Sequence, residues 1–244
     1  MKGRRLLLDA GNTRLKWAVV ENGTWLAQGR APYSDLSALS QVIEQHAACY
    51  IASVVRTQHE EEISTLLASN SISPIWLTTE STCLDVSNGY LNSRQLGVDR
   101  WMGLLASRQR SPAATLVVSV GTAMSVDALS AEGEFLGGLI VPGVVLMQRA
   151  LQQGTEKVAE VSGVCQIFPR TTVDAVQSGI IAALCGAIQR QFERLTKVAG
   201  KPPCVILTGG DAETLLPFLN MKVELAPLLV LEGMERVTRE GELK

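Results

Sequence analysis

Apolar positions along this chain follow two rhythms in alternation, one of period two and one of three to four, which predict strands and helices in turn. The run Leu6-Leu7-Leu8 breaks at Asp9-Ala10-Gly11-Asn12-Thr13, resumes over Leu15-Lys16-Trp17-Ala18-Val19-Val20, turns at Glu21-Asn22-Gly23 and returns as Thr24-Trp25-Leu26-Ala27. That is the pattern of a β-meander. Residues 34–48 carry apolar side chains at 36, 39, 43 and 47, a helical spacing with Ser34 or Asp35 as its cap. Tyr50–Val55 reads as a short strand, 59–69 as a helix and Ile75-Trp76-Leu77 as a strand. Strands alternating with helices favour a layered α/β fold.

A second cycle opens near residue 114. Ala114-Thr115-Leu116-Val117-Val118 breaks at Ser119-Val120-Gly121-Thr122-Ala123, resumes over Met124–Leu129 and turns at Ala131-Glu132-Gly133-Glu134. Gly11-Asn12-Thr13 and Gly121-Thr122-Ala123 hold the same place, 110 residues apart, so the chain reads as an internal duplication. A long helix is predicted over 172–198 from apolar positions 173, 176, 180, 184, 188, 192 and 195. Cys204-Val205-Ile206-Leu207 then empties into Thr208-Gly209-Gly210-Asp211-Ala212, a strand, a glycine turn and a helix start. With no low-complexity linker between the halves, the seam near 100–115 reads as a crossing helix, dividing lobes 1–113 and 114–244.

Composition narrows the classes. The 244 residues, 46% of them hydrophobic and 19% charged, can bury a sizeable core and exclude intrinsic disorder. Lys and Arg (22) nearly balance Asp and Glu (24), which leaves no electrostatic footprint for nucleic acid or an anionic membrane. The five cysteines lack CxxC or metal-ligand spacing and point to a reducing cytoplasm, and the two histidines make a histidine metal site or a Ser-His-Asp triad improbable. Three leucines before Asp9 are too few for a signal peptide, and the apolar stretch 135–147, interrupted by glycines and Pro142, is short of a membrane span. A soluble cytoplasmic protein is expected.

Strands that end in glycine turns let backbone N–H groups approach a phosphate, and hydroxyls such as those of Thr13 and Thr122 add donors. One such turn is commonplace. Three of them, at Gly11, Gly121 and Gly209-Gly210, resemble the nucleotide clamp of the actin-like phosphotransferase superfamily, whereas the GxxxxGK[ST] and GxGxxG signatures are missing. Asp9 in the first turn can hold Mg2+ beside the β and γ phosphates; its bland alternative is a turn-forming Asp.

The resemblance then becomes specific. Asp9-Ala10-Gly11-Asn12-Thr13, Gly89-Tyr90 followed by Leu96-Gly97-Val98-Asp99-Arg100-Trp101, Gly121-Thr122-Ala123, Gly137-Gly138-Leu139-Ile140-Val141-Pro142-Gly143 and Leu207-Thr208-Gly209-Gly210-Asp211 stand in the order and spacing of type III pantothenate kinases. The resemblance implies a duplicated ribonuclease-H-like fold with a central cleft. It also implies transfer of the ATP γ-phosphoryl group to pantothenate, giving 4′-phosphopantothenate, the first step toward coenzyme A. Asp99 matches the catalytic carboxylate, though a helix N-cap explains it equally as local structure. Asp9, Gly11, Asn12, Thr13, Lys16, Gly121, Thr122, Gly209 and Gly210 match nucleotide-binding positions, with Asp9 toward Mg2+. Tyr90, Gly97, Asp99, Arg100, Thr155 and Thr172 match positions around pantothenate, Arg100 facing the substrate carboxylate; Thr172 also reads as an N-cap. A homodimer is implied too.

Two departures stand out. Ser119 replaces the Asp that usually opens the second phosphate motif, which leaves a monovalent cation, K+ or NH4+, in question; Asp127 is the alternative acid, expected to face solvent at a strand end. Gly154 stands where some relatives have His. The rival readings are a non-catalytic regulator of the Bvg accessory factor type on the same fold, and an actin-like kinase for another small alcohol.

Overall fold

The computed structural model describes residues 3–43, 48–154 and 163–240, in two compact units. The first runs up to Arg110 and is rejoined by the segment from Leu228; the second is Ser111–Pro227.

In the first unit, β1 (Arg4–Ala10), β2 (Leu15–Glu21) and β3 (Thr24–Ala31) form the expected meander. Then come α1 (Ser37–Ser40), β4 (Ala48–Ser53), α2 (Thr57–Ser69) and β5 (Ile75–Trp76). The sheet order is β3-β2-β1-β4-β5, with β4 parallel to β1 and β5 parallel to β4. A hairpin of β6 (Thr82–Cys83) and β7 (Val86–Asn88) precedes α3 (Val98–Arg110). Side chains on β1 alternate between two faces, as a strand requires. Leu6, Leu8 and Ala10 join Leu39, Ile63 and Leu67 in one core, while Arg5, Leu7 and Asp9 take the opposite face. Of the helix predicted over 34–48, the described residues form only α1: Asp35 accepts from Ser37 N at 2.9 Å, an Asx turn that starts it, while Leu36, at the N-cap position, has no side-chain cap. Residues 44–47 lie outside the described residues.

The second unit repeats the plan. β8 (Thr115–Val120), β9 (Ala123–Leu129) and β10 (Glu134–Pro142) form a meander, followed by α4 (Val144–Gly154), α5 (Thr172–Ala199), β11 (Cys204–Thr208), α6 (Ala212–Leu215) and β12 (Glu224–Leu225). β11 runs parallel to β8 and β12 parallel to β11. Strand for strand, β8–β12 reproduce the directions and order of β1–β5, so the duplication read from two glycine turns extends to the whole sheet. α5 matches its predicted span and packs Ile180, Leu184 and Ile188 onto that sheet. It is the one helix among the described residues long and apolar enough to cross a membrane by length and composition, and one face of it packs on the sheet. The Gly137–Pro142 segment lies within strand β10: Gly137 takes φ +116° at a bulge and the ladder with β9 continues past it.

The final helix α7 (Leu229–Glu240) departs from the expected 114–244 lobe. It packs on α3 and β1 in the first unit, where Gly233 has no Cβ to collide with the Met102 carbonyl. Polar ties hold it there. Arg5, 2% exposed, donates to Thr238 Oγ1 at 2.9 Å and pairs with Glu235 at 3.4 Å; Arg236 reaches Asp85 at 2.8 Å, and Arg110 reaches Glu232 at 2.7 Å. A buried guanidinium left without these partners is costly, so the helix is bound to this unit.

Candidate functional site

At the end of β1, on the face opposite the Leu6–Leu8 core, Asp9 is 5% exposed. Burial pushes its carboxyl up to about 6; Lys16, directly across in register on β2, pulls it down, and Asp99 pushes it further up. Asp9 and Asp99, 90 residues apart in sequence, therefore feel one another's charge. The turn beyond Asp9 is tied from behind. Val54 N donates to Ala10 O at 3.1 Å and the Tyr33 hydroxyl donates to Gly11 O at 2.8 Å, while Asn12 and Thr13 are exposed. Gly11 does not use a positive φ; the positive φ nearby belongs to the β2–β3 turn at Asn22 and Gly23.

Asp99 sits within the first turn of α3 rather than capping it. Its Oδ1 accepts from Arg100 N at 2.8 Å and folds back over Gly97, where any Cβ would lie 2.7 Å from that oxygen. Glycine at 97 is thus a condition for where the carboxylate points. Arg100 donates to the Tyr90 hydroxyl at 3.2 Å and its guanidinium carbon lies 5.7 Å from the Tyr90 ring centre, within cation–π range. The structure accordingly brings Asp9, Lys16, Gly97 and Asp99 to one neighbourhood and joins Arg100 to Tyr90.

In the second unit the glycine segments converge by backbone at the end of β8. A Cβ on Gly143 would collide with the Gly121 carbonyl, and one on Gly209, at φ +102°, with the Val120 carbonyl. Gly143 N donates to Thr122 O at 2.9 Å and Asp211 N to Val120 O at 3.1 Å. Gly121, Thr122, Gly209 and Gly210 are therefore one backbone junction. Ser119 pairs in register with Ser125 on β9 and Thr208 on β11. Asp127 is not solvent-facing: it is 1% exposed and accepts from Ser125 Oγ at 3.2 Å, because a neighbour two residues along a strand shares its face.

Thr172 opens α5, but the N-cap is Thr171, whose hydroxyl accepts from Asp174 N at 3.2 Å. Thr172 instead lines an apolar groove of about 560 Å³ between α4 and α5, with Met147, Leu151, Val176 and Ile180. Thr155 lies outside the described residues.

Residues 5–194 match the family model of type III pantothenate kinases. The chain belongs to the type III pantothenate kinase family. The Thiobacillus denitrificans type III pantothenate kinase is 58% identical over 241 residues, covering 99% of both chains, and this full-length kinship favours a kinase over a regulator. The fold is that of actin-like ATPases and sugar kinases. A Sinorhizobium meliloti protein assigned as a 2-dehydro-3-deoxygalactonokinase superposes with TM-score 0.62 at 13% identity, covering 98% of this chain and 100% of its own. A Campylobacter jejuni protein assigned to the Baf family of transcriptional activators also gives 0.62, at 20% identity, covering 97% and 98%; at that identity the likeness speaks to fold alone.

For a type III pantothenate kinase, a divalent cation accompanying the nucleotide has to find its ligands. Among the described residues no three of His, Cys, Asp and Glu gather into a metal cage. The site offers instead one buried carboxylate, Asp9, whose pKa is raised chiefly by burial, so that its ionised form lacks the solvation a cation would replace. That suits Mg2+, which takes one or two carboxylates and completes its shell with phosphate oxygens and water. One feature of this kinase escaped the motif reading: Tyr33 joins the first turn through the β3–α1 connection. Gly143, a position of the Gly-Gly…Pro-Gly motif, joins the second turn through contact with Gly121.

Proposed function

We propose that this chain transfers the γ-phosphoryl group of ATP to the primary hydroxyl of pantothenate, giving 4′-phosphopantothenate and ADP. The observation that carries the reading is the pairing of a buried Asp9 with a half-buried Asp99 in one electrostatic neighbourhood. One carboxylate serves the nucleotide's cation and the other the acceptor. Mg2+, held by Asp9, would neutralise charge on the β and γ phosphates. Asp99 accepts the hydroxyl proton as the alcohol oxygen attacks phosphorus in line and ADP leaves; a loose transition state asks little basicity of it. Gly97 keeps that carboxylate folded back, and Arg100, steadied by Tyr90, offers its guanidinium fork to the pantothenate carboxylate.

Gly11, Asn12, Thr13, Lys16, Gly121 and Thr122 serve the phosphates by backbone N–H, hydroxyl and charge, and Gly209-Gly210 the adenosine side. Thr172 is assigned to the acceptor. The apolar groove beside Thr172, with Val145 and Leu146 exposed on α4, supports a homodimer through α4 and α5. A cytoplasmic location fits burial of Cys49, whose thiol is pushed up to about 12 and thus stays protonated and unreactive.

The test is ADP release with MgATP and a panel of small alcohols and sugars. Release only with pantothenate supports the reading; release with a sugar and not with pantothenate would assign this chain to another alcohol.

A further inference from the structure

Tyr33 belongs to no motif, yet its hydroxyl is spent on one carbonyl of the first turn. In a planar trans peptide the C=O and the following N–H point in opposite directions. Tyr33 Oη holds Gly11 O at 2.8 Å, so the Asn12 N–H of the same peptide faces away from Tyr33. Val54 N already holds Ala10 O, so two consecutive carbonyls of the turn are each fixed by a donor from the protein. Gly11 has no side chain to resist rotation of that peptide, so an external tie is needed to fix it.

The tie is itself braced. The Tyr33 ring stacks on His59, with centroids 4.0 Å apart and planes 12° from parallel, and His59 Nδ1 lies 2.9 Å from Glu62 Oε2 on the same helix. The ring's other contacts are with the first unit's core. Its hydroxyl has little freedom to leave the carbonyl.

We propose that Tyr33, backed by His59, is a positioning residue that sets the direction of the Gly11–Asn12 peptide and so presents the Asn12 N–H to a nucleotide phosphate. The inference rests on reading this turn as the phosphate turn. The Tyr33→Phe variant keeps the ring, the stack and the packing and removes only the hydroxyl. The experiment compares it with the parent by calorimetric titration of MgATP without pantothenate, by KM for each substrate and by thermal melting.

The expected result is a MgATP Kd about 5- to 10-fold weaker, the loss of one well-placed hydrogen bond, with pantothenate KM within about twofold and the melting temperature within about 2 °C. A MgATP Kd within twofold of the parent would overturn the proposal. So would a fall in melting temperature with both KM values rising together, which marks a merely structural tyrosine. If the parent binds MgATP but does not phosphorylate pantothenate, the reaction assigned above fails, while the binding comparison still decides the role of Tyr33.

Discussion

Replacing Asp9 by Asn should make the ligand-free protein more stable while removing its activity. The carboxyl is carried from an ordinary 3.8 to about 6, chiefly by burial. At about 1.4 kcal/mol per pKa unit, holding it ionised in the fold costs on the order of 3 kcal/mol. The cost is incurred only where the folded state must give up a proton that the unfolded chain loses more easily. It is absent well below 3.8, where both states are protonated, grows as pH rises from there toward 6 and is complete above that. Asn keeps the shape and hydrogen-bonding capacity without the charge; the accompanying loss of attraction to Lys16 is already within the net value. Urea unfolding in EDTA, run from pH 4 to pH 8, should show the variant ahead by ~1–3 kcal/mol at pH 8 and by no more than ~0.5 kcal/mol at pH 4. MgATP should then stabilise the parent and not the variant. A variant no more stable than the parent at pH 8, or a difference that does not change with pH, would refute the reasoning.

Other consequences are as direct. Gly209→Ala forces a Cβ into the Val120 carbonyl at φ +102° and should cost ~2 kcal/mol or more, read as a melting temperature roughly 4–8 °C lower. Arg100→Lys keeps the charge but loses the fork, so pantothenate KM should rise about tenfold with MgATP KM unmoved. The parent should depend weakly on K+ because Ser119 offers only a hydroxyl, and Ser119→Asp should steepen that dependence in a rate assay with and without K+ in sodium buffer; a strong saturable requirement in the parent would shift attention to backbone carbonyls or to the buried Asp127.

The parts of this molecule legible in its sequence are those set by local pattern. Period-two runs flanking Gly11 and Gly121 announced both meanders, and the 173–195 spacing marked α5 to within a residue of its observed ends. What stayed hidden depends on contacts far apart in the chain. Nothing near Leu229 says that α7 packs with β1; the buried Arg5 and its partners Glu235 and Thr238 are 230 residues or more apart. Asp127 looked like a solvent-facing strand end because alternation gives a face but not what covers it. Gly97 was visible as a motif position, yet its reason, the Asp99 carboxylate folded over its Cα, appears only in three dimensions. The same holds for Tyr33.

The central claim, that this chain moves a phosphoryl group from ATP to pantothenate with Asp99 as proton acceptor, is tested most directly by following the label of γ-labelled ATP by mass spectrometry. With the parent protein the label should appear on pantothenate in step with ADP formed, and Asp99→Asn should slow that transfer by about 10² or more while its melting temperature holds. Label released as inorganic phosphate with none on pantothenate, or transfer by Asp99→Asn at close to the parental rate, would contradict the account.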